Sequence, residues 1–400
     1  MVPSQNLPWP EVGLGDVLTE RTETPDPGEI ETGAIPIIAK ITFSKGTIEL
    51  RDDTKTRTKM ILICPGDLVV SGINAAKGAI AIYNEEEGSP IAATIHYAAY
   101  IPDKSRVDVR YLWWLLRSET FRDILKRNLP GGVKTELKAK RLLPIQVPLP
   151  PLDEQRRIVA RIEELATLIE EARGLRVKAR EEAEALAAAA VVELFTTQQD
   201  NDWADYRLGD LVTEFRYGTS EKAHVEPSGI PILRMGNIQD GRLDLTDLKY
   251  LYLADRDKEK LVLQLGDVLV NRTNSPELVG KCAVFEEKDE YTFASYLIRL
   301  RVDLTKAVPQ LVAAYINSPI GRAYMFSHRK QMTGQANVNT KTLKAMPISL
   351  PPVEEQRGIV AYLDGLQAQV DELTALQDAT QTELDALLPS VLDRAFQGEL

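Results

Sequence analysis

Leu149-Pro150-Pro151-Leu152-Asp153-Glu154-Gln155-Arg156 returns as Leu350-Pro351-Pro352-Val353-Glu354-Glu355-Gln356-Arg357, and the same offset runs without a gap to Phe195 and Phe396. Sixteen of the 47 paired positions are identical. A proline pair followed by two carboxylates predicts a helix start, because proline fixes φ for a first turn and acids favour the positive end of the helix dipole. Beyond it, Ile158, Ile162, Leu165, Ile169, Ala172, Arg176, Ala179, Ala183, Leu186 and Ala190 step by alternating four and three residues, which is heptad spacing. Ile359, Leu363, Leu366, Val370, Leu373, Gln377, Thr380, Leu384, Leu387 and Val391 keep the same register. These stripes predict two long helices that pair within the chain. Arg176 and Gln377 form a polar, register-fixing layer unless Leu175 and Leu376 take the seam. Pro389 is expected to end or kink the second helix near Leu388, and Gly398 to stop its last turn.

The stretches between the helices repeat more loosely. Leu14-Gly15-Asp16 matches Leu208-Gly209-Asp210, Ile35-Pro36-Ile37 matches Ile230-Pro231-Ile232, and Gly66-Asp67-Leu68-Val69-Val70 matches Gly266-Asp267-Val268-Leu269-Val270. A period near 200 is too long for a solenoid, so the chain reads as A–B–A′–B′: residues 1–148, 149–202, 203–350 and 351–400. The expected class is α+β, with two mixed α/β domains alternating with two long helices. Short apolar runs at 61–63, 68–70, 79–82, 268–270 and 282–285, bounded by Gly, Pro or Asp, predict buried strands. Residues 111–116 and 311–316 are too apolar for a solvated helix face and are expected to pack on the sheets, with Trp113 and Trp114 as core rather than a base-stacking platform.

Composition narrows the function. The 44% apolar and 27% charged fractions are those of a globular protein. Two cysteines, Cys64 and Cys282, and no signal-like start near Met1 fit a reducing cytoplasm, and the longest apolar run, Ala185 to Val192, is too short for a membrane span. Net charge is −11, but the acid is localised: 19 basic and 19 acidic residues in 1–148, 7 and 12 in 149–202, 20 and 18 in 203–350, and 2 and 10 in 351–400. Residues 104–141 (11 basic, 4 acidic) and 299–344 (8 basic, 1 acidic) are each +7. Two matched basic stretches inside an acidic chain point to nucleic acid.

Catalytic patterns are missing. His96, His224 and His328 lack zinc-site spacing, Gly13-x-Gly15 lacks a third glycine, and there is no Walker-type Gly-Lys-Ser/Thr and no Asn-Pro-Pro-Tyr tetrapeptide. Pro102-Asp103 with Glu136-Leu137-Lys138 spells the permissive nuclease pattern, so a single-chain endonuclease using Asp103, Glu136 and Lys138 is one alternative; a duplicated protein-binding scaffold is another. The chain is expected to hold no cofactor or metal. Base-reading and phosphate-binding side chains cluster in corresponding loops: Ser71, Asn74 and Lys77 against Asn271, Arg272, Thr273 and Asn274, then Lys134 and Lys138 against Gln335, Asn337, Lys341 and Lys344. Ordinary turn chemistry is the competing account of both loops.

The repeated Pro-Pro…Glu-Gln-Arg motif, the heptad helices after it and the ending Leu388-Pro389-Ser390-Val391-Leu392-Asp393-Arg394-Ala395-Phe396-Gln397-Gly398-Glu399-Leu400 resemble the specificity subunit of type I restriction-modification enzymes, over the whole chain. The resemblance implies two target-recognition domains, each reading one half of a split double-stranded DNA site, and helices packed as an antiparallel coiled coil. It implies a subunit without a catalytic centre. Two modification subunits would bring S-adenosylmethionine, and ATP-dependent restriction subunits would join them. Ala187 to Ala190, opposite Leu387-Leu388-Pro389-Ser390 in the second copy, departs from equivalence and puts matching contacts at both helix ends in doubt.

Overall fold

The computed structural model describes residues 9–56, 58–84, 86, 88–128, 136–196, 203–275, 278–332 and 335–400. Contacts divide the chain into two compact units, Met1–Arg176 with Gln377–Leu400, and Val177–Leu376. Among the described residues no helix is long and apolar enough to cross a membrane.

The core of unit 1 is an antiparallel sheet of β1 (Leu18–Glu20), β2 (Leu68–Ser71), β3 (Ile80–Ile82) and β4 (Tyr97–Pro102), in the order β1-β4-β2-β3. Helix α1 (Val109–Arg117) packs on it, burying Tyr111, Leu112, Trp114, Leu115 and Leu116. Trp113 is tied down too, its indole N–H donating to Ile80 O at 2.9 Å, so the tryptophan pair is core. Unit 2 builds the same sheet from β5 (Val212–Tyr217), β6 (Asp267–Asn271), β7 (Cys282–Val284) and β8 (Leu297–Val302), in the order β5-β8-β6-β7. Helix α2 (Pro309–Asn317) covers it. The central register repeats with the sequence offset: Leu68 faces Tyr100 as Val268 faces Leu300.

The repeated Gly-Asp elements are turns feeding the central strands. Gly66 and Gly266 take φ of +90° and +84°, a region that L side chains avoid. Asp67 and Asp267 are buried and accept the backbone N–H three residues earlier, each at 2.8 Å. An arginine answers each carboxylate, Arg21 at 2.6 Å and Arg301 at 3.0 Å, so neither charge is buried alone.

The long helices run Leu152–Thr196 and Val353–Gln397. Gln155 and Gln356, both fully buried, fasten their first turns to the adjacent domain. Gln155 accepts the Asp108 N–H at 2.8 Å and donates to Arg106 O at 3.1 Å and Pro150 O at 2.8 Å. Gln356 repeats this with Val308, Lys306 and Pro351 at 2.8, 3.0 and 2.8 Å. Within unit 1 the helices are antiparallel. Arg157 donates to the Leu400 carbonyl, Ile158 and Ile162 share a core with Leu392, Ala395 and Phe396, and Arg173 meets Asp385 at 2.9 Å. Equivalent residues then meet: Arg176 donates to Gln377 O, and Gln377 returns a bond to Arg176 O at 3.1 Å. Leu175 and Leu376, each 60% exposed, stay outside the seam. In unit 2, Val191, Leu194 and Phe195 pack in one cluster with Ile359 and Val360.

Ile158, Ile162, Ile169, Val370 and Leu384 are buried, and Leu165, Ile359, Leu363, Leu366 and Leu373 half-buried. Leu186 and Leu387 correct the expected seam, being 66% and 46% exposed. A straight helix drifts about 20° per heptad against a strict seven-residue repeat, and both leucines lie four heptads beyond Ile158 and Ile359. Around them Ala183, Ala190, Leu384 and Val391 of the expected stripe stay at least half-buried, joined by Ala187, Val191, Leu194 and Phe195 in one helix and by Leu388, Leu392, Ala395 and Phe396 in the other. Nor does Pro389 end the second helix, which continues to Gln397. Proline deletes one backbone hydrogen bond, and the next two turns are anchored by Leu392, Ala395 and Phe396 in the core. Gly398, at φ +80°, does end it.

Candidate nucleic-acid interface

The two polar stretches of the second domain that are distant in sequence are one surface. Thr273–Asn274 pairs with Gln335–Asn337, which pairs in turn with Lys330–Met332, forming a small antiparallel sheet beyond the end of β6. Asn337 Nδ2 donates to Thr273 Oγ1 at 2.8 Å across that pairing. Arg272 is held by its backbone, donating to Tyr296 O at 2.9 Å and accepting from Val338 N at 2.8 Å. Its guanidinium lies 4.6 Å from the centre of the Tyr217 ring. The Tyr217 hydroxyl accepts the Thr340 N–H at 3.2 Å, where helix α3 (Thr340–Ala345) begins. Lys341 and Lys344 project from α3 and are exposed; the Lys344 ammonium lies 5.2 Å from the Phe215 ring. Phe215 and Tyr217, two residues apart on β5, thus back a cationic face formed by Arg272, Lys341 and Lys344. Neither aromatic was singled out in the sequence. The available signal was their spacing, which places both side chains on one face of a strand.

Two expected surface residues are corrected. Asn271 and Ser71 are 1% and 4% exposed, because each is the last residue of a central strand with both faces covered. Asn274 is half-buried, and its carboxamide oxygen accepts the Ser275 N–H at 2.8 Å. Lys134 and the side chain of Gln335 lie outside the described residues.

The first domain uses the same frame with other side chains. Gly72 donates to His96 O at 2.7 Å and accepts from Leu137 N at 2.8 Å, the two bonds made by Arg272. A Cβ at Gly72 would stand 3.2 Å from Glu136 Cγ, so the position is occupied from outside by Glu136. Glu136 meets His96 and Lys138, each at 3.3 Å. Burial pushes its carboxyl up, but these two partners outweigh burial and hold it below the usual range. Asn74 is half-buried and precedes a short 3₁₀ turn that ends at the exposed Lys77, whose ammonium is 5.7 Å from the Phe43 ring.

Asp103, the first member of the nuclease pattern, is committed to a turn. It accepts the Ser105 N–H at 3.0 Å and hydroxyl at 2.6 Å, bonds that hold its carboxyl below the usual range. Asp303 does the same with Thr305 at 3.1 and 2.6 Å, so the aspartate belongs to the duplicated scaffold. The endonuclease alternative therefore loses its first carboxylate. Among the described residues no group of three or more His, Cys, Asp or Glu could hold a metal ion.

The family model of the type I restriction modification DNA specificity domain matches residues 6–179 and again 200–383. The chain belongs to that family. Its duplication is thus one specificity domain occurring twice. A specificity subunit of the type I restriction enzyme EcoKI, from Escherichia coli (strain K12), is 28% identical over 303 residues. The match covers 71% of this chain and 64% of that subunit, a little under two thirds of the relative's length. The StySPI specificity subunit of Salmonella potsdam is 24% identical over 388 residues, 92% of this chain and 82% of that one. Among solved structures, a chain from work on complex assembly and conformational transition of the type I R-M system aligns with a TM-score of 0.74 at 25% identity, covering 99% of this specificity chain and 100% of that one. The HsdS subunit from Thermoanaerobacter tengcongensis has the same fold, with a TM-score of 0.65 at 24% identity over 100% and 98% of the two chains.

Proposed function

We propose that the chain is the DNA-recognition subunit of a type I restriction-modification complex and performs no chemistry itself. Each domain reads one half of a split double-stranded target, residues 1–148 one half and 203–350 the other. The helical segments 149–202 and 351–400 set the gap and dock two modification subunits, to which restriction subunits add. One observation carries this reading: the same backbone frame holds position 72 and position 272 by the same two hydrogen bonds, yet presents glycine beside a His-Glu-Lys cluster in one domain and an arginine on tyrosine in the other. A shared scaffold with divergent side chains at matching places suits two different half-sites.

In the second half-site Arg272, Thr273, Asn274 and Asn337 contact bases, while Lys341 and Lys344 contact phosphates. Asn74, Lys77 and Lys138 lie at the matching edge of the first domain. The acidic helices would avoid DNA and suit protein partners. Both cysteines are free, which fits action in the cytoplasm. Reconstitution with the modification subunits, followed by sequencing of methylated sites, tests the assignment. Arg272→Ala is expected to relax one base in one half-site only; relaxation in both halves, or in neither, overturns it.

A further inference from the structure

A half-open pocket of about 650 Å³ lies inside unit 2, beside the small sheet just described. Asn271 lines it and is 1% exposed. Its Nδ2 makes one long bond to Met235 O, at 3.4 Å, and its buried Oδ1 has no hydrogen-bond partner among the described residues. A buried acceptor without a protein partner is costly to leave unmet, so the pocket suits a hydrogen-bond donor. The walls are of three kinds. Ile232 and Ile238 supply apolar contact, Tyr296, half exposed, supplies an aromatic ring, and Lys249 and Lys281 supply positive charge. Asn274 belongs both to this lining and to the sheet.

We infer that this pocket receives a single extrahelical nucleobase, one that carries an exocyclic amine next to a ring nitrogen acceptor. A base still stacked in a duplex presents only its edge in a groove, which cannot reach a side chain so deeply buried; it must leave the stack to enter. Once inside, the amine donates to Asn271 Oδ1, and the second Nδ2 hydrogen is given to the ring nitrogen, the two-point pairing that an asparagine makes with adenine. Cytosine offers the same donor–acceptor pair in a smaller ring. The isoleucines and Tyr296 bracket the base, and the lysines neutralise its phosphate. Ser71 stands at the matching position of the first domain, with a shorter side chain that cannot make the two-point pairing.

This inference rests on the DNA-reading function proposed above, and its test separates the two. The full chain, assembled with its modification subunits, is bound to duplexes carrying its mapped target. 8-Vinyladenine, a fluorescent analogue that keeps the 6-amine and N7, replaces each adenine in turn, and pyrrolocytosine each cytosine, on both strands of the half-site assigned to residues 203–350. Besides the methylated base, one further position is expected to brighten severalfold on binding; its probe identifies the base. In Asn271→Leu that rise falls to the duplex level while the signal at the methylated base persists. Ala223→Phe, which narrows the pocket from another wall, gives the same result if Asn271→Leu does not fold. Sequence-specific binding with no additional bright position overturns the pocket and leaves the DNA-reading function standing, as does a rise that survives both variants. Failure of the wild-type assembly to bind any sequence preferentially overturns both.

Discussion

Gln356→Leu tests why the duplicated motif has a glutamine in its helix's first turn. The side chain is fully buried, and the replacement keeps its approximate size while removing three hydrogen bonds, from Val308 N–H and to the carbonyls of Lys306 and Pro351. An orphaned buried N–H costs about 2 kcal/mol, and each carbonyl, having a second lone pair, about 1 kcal/mol. The leucine's extra apolar burial offsets roughly 1 kcal/mol. The expected loss is therefore about 3 kcal/mol. With a urea m-value of about 2 kcal/mol/M, the unfolding midpoint of unit 2 should drop by roughly 1.5 M. Gln155→Leu should do the same to unit 1, and because the residues belong to different compact units the two losses should add. Circular dichroism reads the midpoints, and hydrogen exchange at Val308 and Asp108 assigns them. A shift below about 0.5 M at unchanged m would refute the reasoning. Gln356→Glu gives a sign test. Its buried carboxyl would face two carbonyls, so its folded pKa lies above the unfolded value; the variant should be least impaired at low pH and lose stability as pH rises through the folded pKa.

Four further outcomes are expected. Arg272→Ala should cost about 1–3 kcal/mol at one base position, and Tyr217→Leu, which removes the ring beneath that guanidinium, should weaken discrimination at the same base; binding titrations across single-base variants check both. Lys341→Ala should weaken all sequences alike and lower the salt slope by roughly one unit, so a change in base preference would contradict a phosphate contact. Adding seven residues to both helices, after Arg176 and before Gln377, keeps the heptad phase and lengthens each by about 10 Å, or roughly three base pairs. Methylation mapping should then find unchanged half-sites and a wider gap; altered half-sites with the old gap would mean that the helices hold partners without measuring DNA. Finally, burial pushes the Cys282 thiol far above its usual range and raises that of Cys64 less, so alkylation at about pH 8 should label Cys64 slowly and Cys282 only after unfolding.

The sheets and helices were legible where one physical rule acts alone. Runs such as Val268–Val270, apolar on both faces and bounded by Gly-Asp, are strands because nothing else buries so short an apolar segment. Long heptad stripes are helices for the same reason. Legibility failed where a second effect enters. Leu186 and Leu387 fit the template locally, but rotation accumulated over four heptads turns Ala187 and Leu388 inward in their place. Asn271 looks like a surface reader because asparagine usually is one, and only the central place of its strand reveals the burial. The burial of Gln155 and Gln356 has no local signal, since carbonyls they bind come from a loop some 50 residues away. The face made by Phe215, Tyr217, Arg272 and Lys344 joins segments whose meeting depends on β5 pairing with β8, which no local pattern encodes.

Unit 2 is one uninterrupted stretch, Val177–Leu376, whereas unit 1 takes Met1–Arg176 and then waits for Gln377–Leu400. Its core includes Leu392, Ala395 and Phe396, and Arg157 binds a carbonyl 243 positions later. A ribosome therefore delivers every residue of the second domain's core while the first domain is still missing a wall. At roughly 5–20 residues per second the delay is on the order of 12 to 50 seconds. Through that interval the apolar stripe of Ile158 and Ile162 has no partner helix, and premature pairing with another nascent chain is the hazard. The domain synthesised first is the one completed last.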